Sequence, residues 1–177
     1  FLKLKDGKYE ACPSYSPDTT PGNYVMGDDE LGIARNSTVD FAVLRKLLCD
    51  LIRGSAVTGL YKDEVKKWEY MLTCIPAYAM NADGTVKEYI DPAFADNDRS
   101  PSCAEFYPMF PGTEVNALTP DLLRCFAQTA KKKFDAAKRS FTSAQTARYA
   151  NIFARAGEGD EAYGALTRMV RSMCMNN

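Results

Sequence analysis

Histidine is absent from all 177 residues. That removes Ser/His and Cys/His nucleophilic catalysis and every imidazole metal site, so any chemistry rests on carboxylates, Tyr, Lys or Arg. No apolar run approaches the ~20 residues that cross a bilayer, and no leader-like apolar region follows Phe1. No membrane role is expected, and the chain reads as processed or excised. The six cysteines include no Cys-x-x-Cys pair, which leaves no nucleus for a thiolate metal or redox site. Cys49, Cys74, Cys125 and Cys174 fall in helical patterns and are read as small buried hydrophobes rather than disulfide partners. An excess of either charge is also lacking, since 22 basic residues face 23 acidic ones. Without a positive field to gather phosphates, nucleic acid is not an expected partner. The run Lys131, Lys132, Lys133 is the one dense basic patch, and it is read as the solvated face of a helix.

What is present fits a globular chain, with 46% hydrophobic and 25% charged residues, and a single domain at this length buries roughly 70% of its unfolded surface. Residues 1–36 carry Pro13, Pro17, Pro21, Gly22 and Gly27 without a sustained period, the pattern of a long irregular loop. A second such stretch covers 81–117, with Asp83-Gly84, Asp91-Pro92 and Pro111-Gly112 as turn formers. Long loops in compact domains are usually functional.

Between the loops the apolar residues repeat at three and four. Phe41, Leu44, Leu47, Leu48, Leu51 and Ile52 make one stripe, closed by Gly54 and Gly59; Val65, Trp68, Met71, Leu72 and Ile75 make another, disturbed by Pro76. These predict a helical hairpin over 38–80. Thr119-Pro120 predicts a capped helix start, and three further helices over 118–175 include one ended by Gly157 and a last one capped by Asp160. No strand of convincing alternation is read, although Thr85 to Tyr89 could be extended. The expected fold class is all-α, built of antiparallel helical hairpins; helix patterns alone leave a bundle, a helical repeat and part of an α/α toroid open.

Five separated stretches then carry a resemblance. Pro13-Ser14-Tyr15-Ser16-Pro17-Asp18 is similar to a P-S-x-S-P-E element, and Ser37-Thr38-Val39-Asp40 with Leu44-Arg45-Lys46-Leu47 to S-T-M-D-x-x-I-I-R-E-L. Asp83-Gly84-Thr85-Val86-Lys87-Glu88-Tyr89 resembles D-G-x-L-Q-E-W, and Tyr107-Pro108-Met109-Phe110-Pro111-Gly112 resembles Y-x-x-Y-P-G. Ile152-Phe153-Ala154-Arg155-Ala156, with Ala162-Tyr163 beyond, is similar to L-W-A-R-L and its following A-Y. In this order they resemble the later part of the catalytic domain of the family 95 glycoside hydrolases, the α-L-fucosidase-like enzymes.

The resemblance implies part of an (α/α)6 toroid acting on a terminal sugar such as α-L-fucose or α-L-galactose with inversion, without metal or cofactor. It implies Asp18 as the acid, with Glu88 as a second catalytic carboxylate, and Tyr89, Arg99 and Asp40 on the substrate. Each also has a plainer reading: an Asx-turn for Asp18, a loop salt bridge for Glu88, a packed aromatic for Tyr89, and a favourable place in the first helical turn for Asp40. Two departures stand out. Ser100-Pro101-Ser102-Cys103-Ala104-Glu105-Phe106 replaces a basic H-R-H-x-S-H-L, where Arg99 could partly substitute, and Thr142-Ser143-Ala144-Gln145 replaces T-G-W-S.

The family's water-activating asparagines and the aspartate of its I-D-G-N element match nothing in these residues. The chain alone is therefore expected to be an incomplete site that hydrolyses no fucoside at a useful rate, its partners being carbohydrate and the remainder of its toroid or another chain. A secreted or periplasmic location is implied. The rival readings are a helical protein-interaction module, which lacks any repeat of about 34 residues, and a non-catalytic carbohydrate-binding remnant.

Overall fold

A computed structural model of the chain describes residues 2–23, 34–137 and 141–173. In chain order it contains strands β1 (Leu2–Lys5) and β2 (Lys8–Ala11), then helices α1 (Thr38–Thr58), α2 (Val65–Cys74), α3 (Pro120–Ala136), α4 (Ser143–Ala156) and α5 (Gly159–Met173). The regular secondary structure of the described residues is mostly helical, in keeping with an all-α class. The helices pack as neighbours in sequence: α1 on α2, α3 on α4, and α4 on α5. Gly27 and Cys174, singled out from the sequence, lie outside the described residues, as do the last positions of the hairpin expected to reach 175.

The first loop corrects the sequence reading, because it opens with an antiparallel hairpin pairing Leu2 with Ala11 and Lys5 with Lys8. Its turn is Asp6-Gly7, both at positive φ (50° and 76°), the backbone that a two-residue hairpin turn needs to match strand twist. The described remainder of both loops is irregular apart from one short 3-10 turn at Ala104–Phe106.

Helix ends are set by short-range chemistry. Gly59 and Gly157 close α1 and α4 in the left-handed conformation, at φ 75° and 80°, where glycine meets no Cβ penalty. Thr142 and Gln145 start α4 with reciprocal side-chain and backbone bonds. Two expected caps differ. The Thr119 hydroxyl donates to Asn116 O (3.0 Å) instead of capping α3, and Asp160 sits inside the first turn of α5, whose Ala162 N–H donates to Glu158 O (3.0 Å).

Two apolar cores result. The larger joins α3, α4 and α5 to the loop above them through Phe106, Met109, Phe126, Tyr149, Ile152 and Phe153, all fully buried. The smaller joins β2, α1 and α2 through Ala11, Phe41, Leu48 and Ile75. Cys74 is buried as expected and Cys49 is exposed, and the described cysteines are all free thiols. Along α1 the stripe is only partly covered, since Leu47 and Leu51 remain exposed.

The Pro111-Gly112 turn is held by close backbone contact. A Cβ on Gly112 would lie 2.3 Å from Tyr107 O and 3.3 Å from the Pro108 carbonyl carbon, whereas one on Gly54 in α1 would meet nothing within 4 Å. Gly112→Ala should therefore cost ~1–3 kcal/mol through overpacking, and Gly54→Ala should gain ~0.5–1 kcal/mol by relieving glycine's entropy in a helix. Urea denaturation midpoints measure both. Equal midpoints for Gly112→Ala and the parent chain would contradict the close approach.

Candidate functional site

The five stretches singled out from the sequence meet in space. The Ser14 hydroxyl donates to Asp40 Oδ2 (2.5 Å) and accepts the Ser37 N–H (2.8 Å), which joins the first stretch to the start of α1. Thr38 N–H donates to Glu88 O (2.9 Å) and its hydroxyl to Lys87 O (2.6 Å), which joins α1 to the Asp83–Tyr89 stretch. Ser16 Oγ donates to Glu88 Oε1 (2.9 Å), closing the triangle. Beyond it, Arg155 of α4 donates to Gly112 O (3.2 Å) and lies over the Phe110 ring at 5.4 Å. The last two stretches are thereby fastened to each other.

Where they converge there is a cavity of about 400 Å³, within the range of small-molecule sites. Pro17, Asp18, Val39, Tyr107, Phe110, Pro111 and Ile152 come from four of the stretches; Ser102, Cys103, Ala104 and Arg148 complete the wall. Asp18 adopts φ 62°, a left-handed conformation that Asp tolerates better than most residues. Its backbone is held there by two serine hydroxyls: Ser102 Oγ donates to Pro17 O (2.6 Å) and Ser100 Oγ to Asp18 O (3.2 Å). The serines that replace a basic cluster therefore fasten the Asp18 loop. The Cys103 thiol is pushed up to about 12, first by burial and then by Glu105, so it lines the cavity as a neutral group rather than a nucleophile.

Behind this wall lies a buried charge cluster. Lys133, Glu88 and Glu105 are each at most 2% exposed. The Lys133 ammonium pairs with Glu105 Oε1 and stands 3.6 Å from Glu88 Oε2. This corrects the reading of the lysine run: Lys131 and Lys132 carry exposed ion pairs, but Lys133 points inward. The reason is helical phase, since Lys133 falls three residues after buried Ala130 and four before buried Ala137. Burial works to lower the Lys133 ammonium, but Glu105 and Glu88 outweigh it and hold the group charged above its ordinary range. Burial pushes the Glu105 carboxyl up to about 7 against the pull of Lys133, with Glu88 adding repulsion. One ammonium thus serves two carboxylates, and Glu105 Oε2 is left with no hydrogen-bond partner among the described residues.

Of the residues expected to form the site, Asp18 lines the cavity and the others take different places. Glu88 lies behind the wall, holding Ser16, two residues before Asp18. Tyr89 is 1% exposed, its ring tilted against Phe94 at 5.8 Å. Burial, followed by the charge of Glu88, pushes its phenol above the ordinary range. Asp40 is half-buried and holds Ser14, while its neighbour Val39 reaches the cavity. Arg99 is exposed and outside the cavity, whose lining arginine is Arg148, itself exposed. It shares a helix face with Ile152, four residues on, but nothing local to α4 marks that face as a cavity wall.

The family model for the Glycosyl hydrolase family 95 catalytic domain matches residues 1–177. No curated protein matches the chain.

The buried cluster makes a pH dependence testable. Glu105 binds its proton more tightly folded than unfolded, its value rising from 4.5 to about 7. The stability that this proton contributes is complete below the unfolded value and is lost as pH rises through the folded one. Denaturation between pH 4.5 and 7.5 should show stability falling with rising pH by an amount on the order of a few kcal/mol, and Glu105→Gln should flatten that slope. An unchanged slope in Glu105→Gln would contradict the assignment.

Proposed function

The chain belongs to glycosyl hydrolase family 95, and from that premise we propose that the cavity beside Asp18 takes the terminal sugar of a glycoside such as an α-L-fucoside or α-L-galactoside. Glycoside hydrolysis is the family's chemistry and carbohydrate its substrate. The observation that carries the assignment to this cavity is that Asp18 is the one carboxylate lining it among the described residues, on a backbone fastened by the Ser100 and Ser102 hydroxyls.

Inverting hydrolysis needs an acid at the leaving oxygen and a base for water on the opposite face of the ring, with carboxyl groups roughly 6.5–9.5 Å apart. Asp18 supplies the proton. The water-activating groups come from outside these residues, from the asparagine and I-D-G-N elements that the resemblance implies. Glu88 works through Ser16 rather than on the sugar: its carboxylate, fixed by Lys133, keeps the Ser16–Asp18 turn in place. A misplacement of about 1 Å in such a turn can cost 100-fold in rate. In this reading the five helices form part of an (α/α)6 toroid, the two loops make the sugar pocket at one end, and the enzyme works outside the cytoplasm.

The test uses the polypeptide that carries these residues with its natural flanking sequence. Asp18→Asn should lower kcat by about 100- to 10,000-fold on an alkyl glycoside, whose leaving group needs the proton. The loss should be far smaller on a dinitrophenyl glycoside, whose leaving group does not. Equal losses on both substrates, or no loss on either, would overturn the acid role.

A further inference from the structure

Arg148 has no place in the chemistry described so far. It projects from α4 one turn before Ile152, and both line the cavity wall with Asp18 and Cys103. Among the described residues no carboxylate pairs with it: the ion pairs of α4 and its neighbours involve other groups, and Asp18, on the same cavity, is not among its partners. Cys103 lines the same cavity as both of these charged residues. Among the described residues Arg148 is the one cation in a wall otherwise made of Asp18, a neutral thiol, a serine, a tyrosine and apolar side chains.

The Arg148 guanidinium stands at the solvent-facing edge of a concave, largely apolar surface, and a sugar bearing only hydroxyl and methyl groups leaves its charge unmatched. Its planar fork of N–H donors matches a carboxylate or a sulfate ester, and bonds of that kind are about twice as strong as neutral ones. Low-dielectric walls concentrate the field that draws such a group in. We propose that Arg148 makes this cavity a site for a pyranose carrying an anionic substituent, a sulfate ester or a carboxylate. The anion would sit on the α4 side, with the glycosidic oxygen towards Asp18. The inference rests on the sugar-binding reading above and narrows its substrate class.

The experiment is calorimetric or ligand-observed NMR titration of the polypeptide that carries these residues with its natural flanking sequence, using three probes: methyl α-L-galactoside, its 6-sulfate and its 6-carboxylate. At least one anionic probe should bind on the order of tenfold tighter than the neutral one at low salt. Which of the two does so identifies the substituent. Arg148→Gln should bring the anionic-to-neutral ratio close to one, Arg148→Lys should retain part of it, and Arg171→Gln, on exposed α5 surface, should leave it unchanged. Circular dichroism checks that each variant is folded. Neutral binding equal to or tighter than anionic binding overturns this inference and leaves the sugar-binding reading standing. A preference that survives Arg148→Gln also overturns it. No binding of any probe overturns both.

Discussion

The buried ammonium of Lys133 organises the site. Two carboxylates that never reach solvent converge on it, Glu105 from the turn under the cavity wall and Glu88 from the strand-like segment beside α1. Removing one partner from such a cluster typically costs ~3–5 kcal/mol, because the charges left behind stay buried without compensation. The cluster joins α3 to both halves of the long second loop. Through Glu88 and Ser16 it also joins the first loop, so a residue on no cavity surface sets where Asp18 stands.

That arrangement explains how two irregular loops can be specific. Loops run at the surface and tolerate change unless their backbone is fastened. Here the fastening is dense: Asn97 donates to Thr20 O (3.2 Å), Gly22 N–H to Ala95 O (2.9 Å), and Asp96 accepts from both Asn81 (2.6 Å) and the Glu88 N–H (2.8 Å). Small polar side chains and close backbone do the work that helix packing does elsewhere. Ser100 and Ser102, where the family resemblance implies basic groups, are recruited into this framework, and the cavity's cation comes from α4 instead.

The helices were legible in the sequence because their apolar period and their stop signals agree, as at Gly59, Pro76 and Gly157. The five family-like stretches were legible as motifs, and four of them line one cavity while the Asp83–Tyr89 stretch is bonded behind it. Lys133 was hidden by its neighbours: in a run of three lysines composition suggests a solvated face, and only the phase relative to Ala130 and Ala137 reveals the inward one. The β1–β2 hairpin was missed although Asp6-Gly7 is a strong turn signal, because each strand is only four residues long. Arg148 was missed for a different reason. Its importance comes from which residues of distant loops face it, and no local pattern on α4 encodes that.

The central claim is that residues far apart in the chain form one sugar cavity. The most direct measurement is backbone amide chemical-shift mapping of the folded 177-residue chain titrated with methyl α-L-fucoside. The account predicts that Asp18, Val39, Ser102, Cys103, Ala104, Tyr107, Arg148 and Ile152, on both walls of the cavity, shift together with a single dissociation constant. Shifts confined to the exposed groove of Leu47, Leu51, Tyr61 and Trp68 along α1, or no shifts at all, would contradict it.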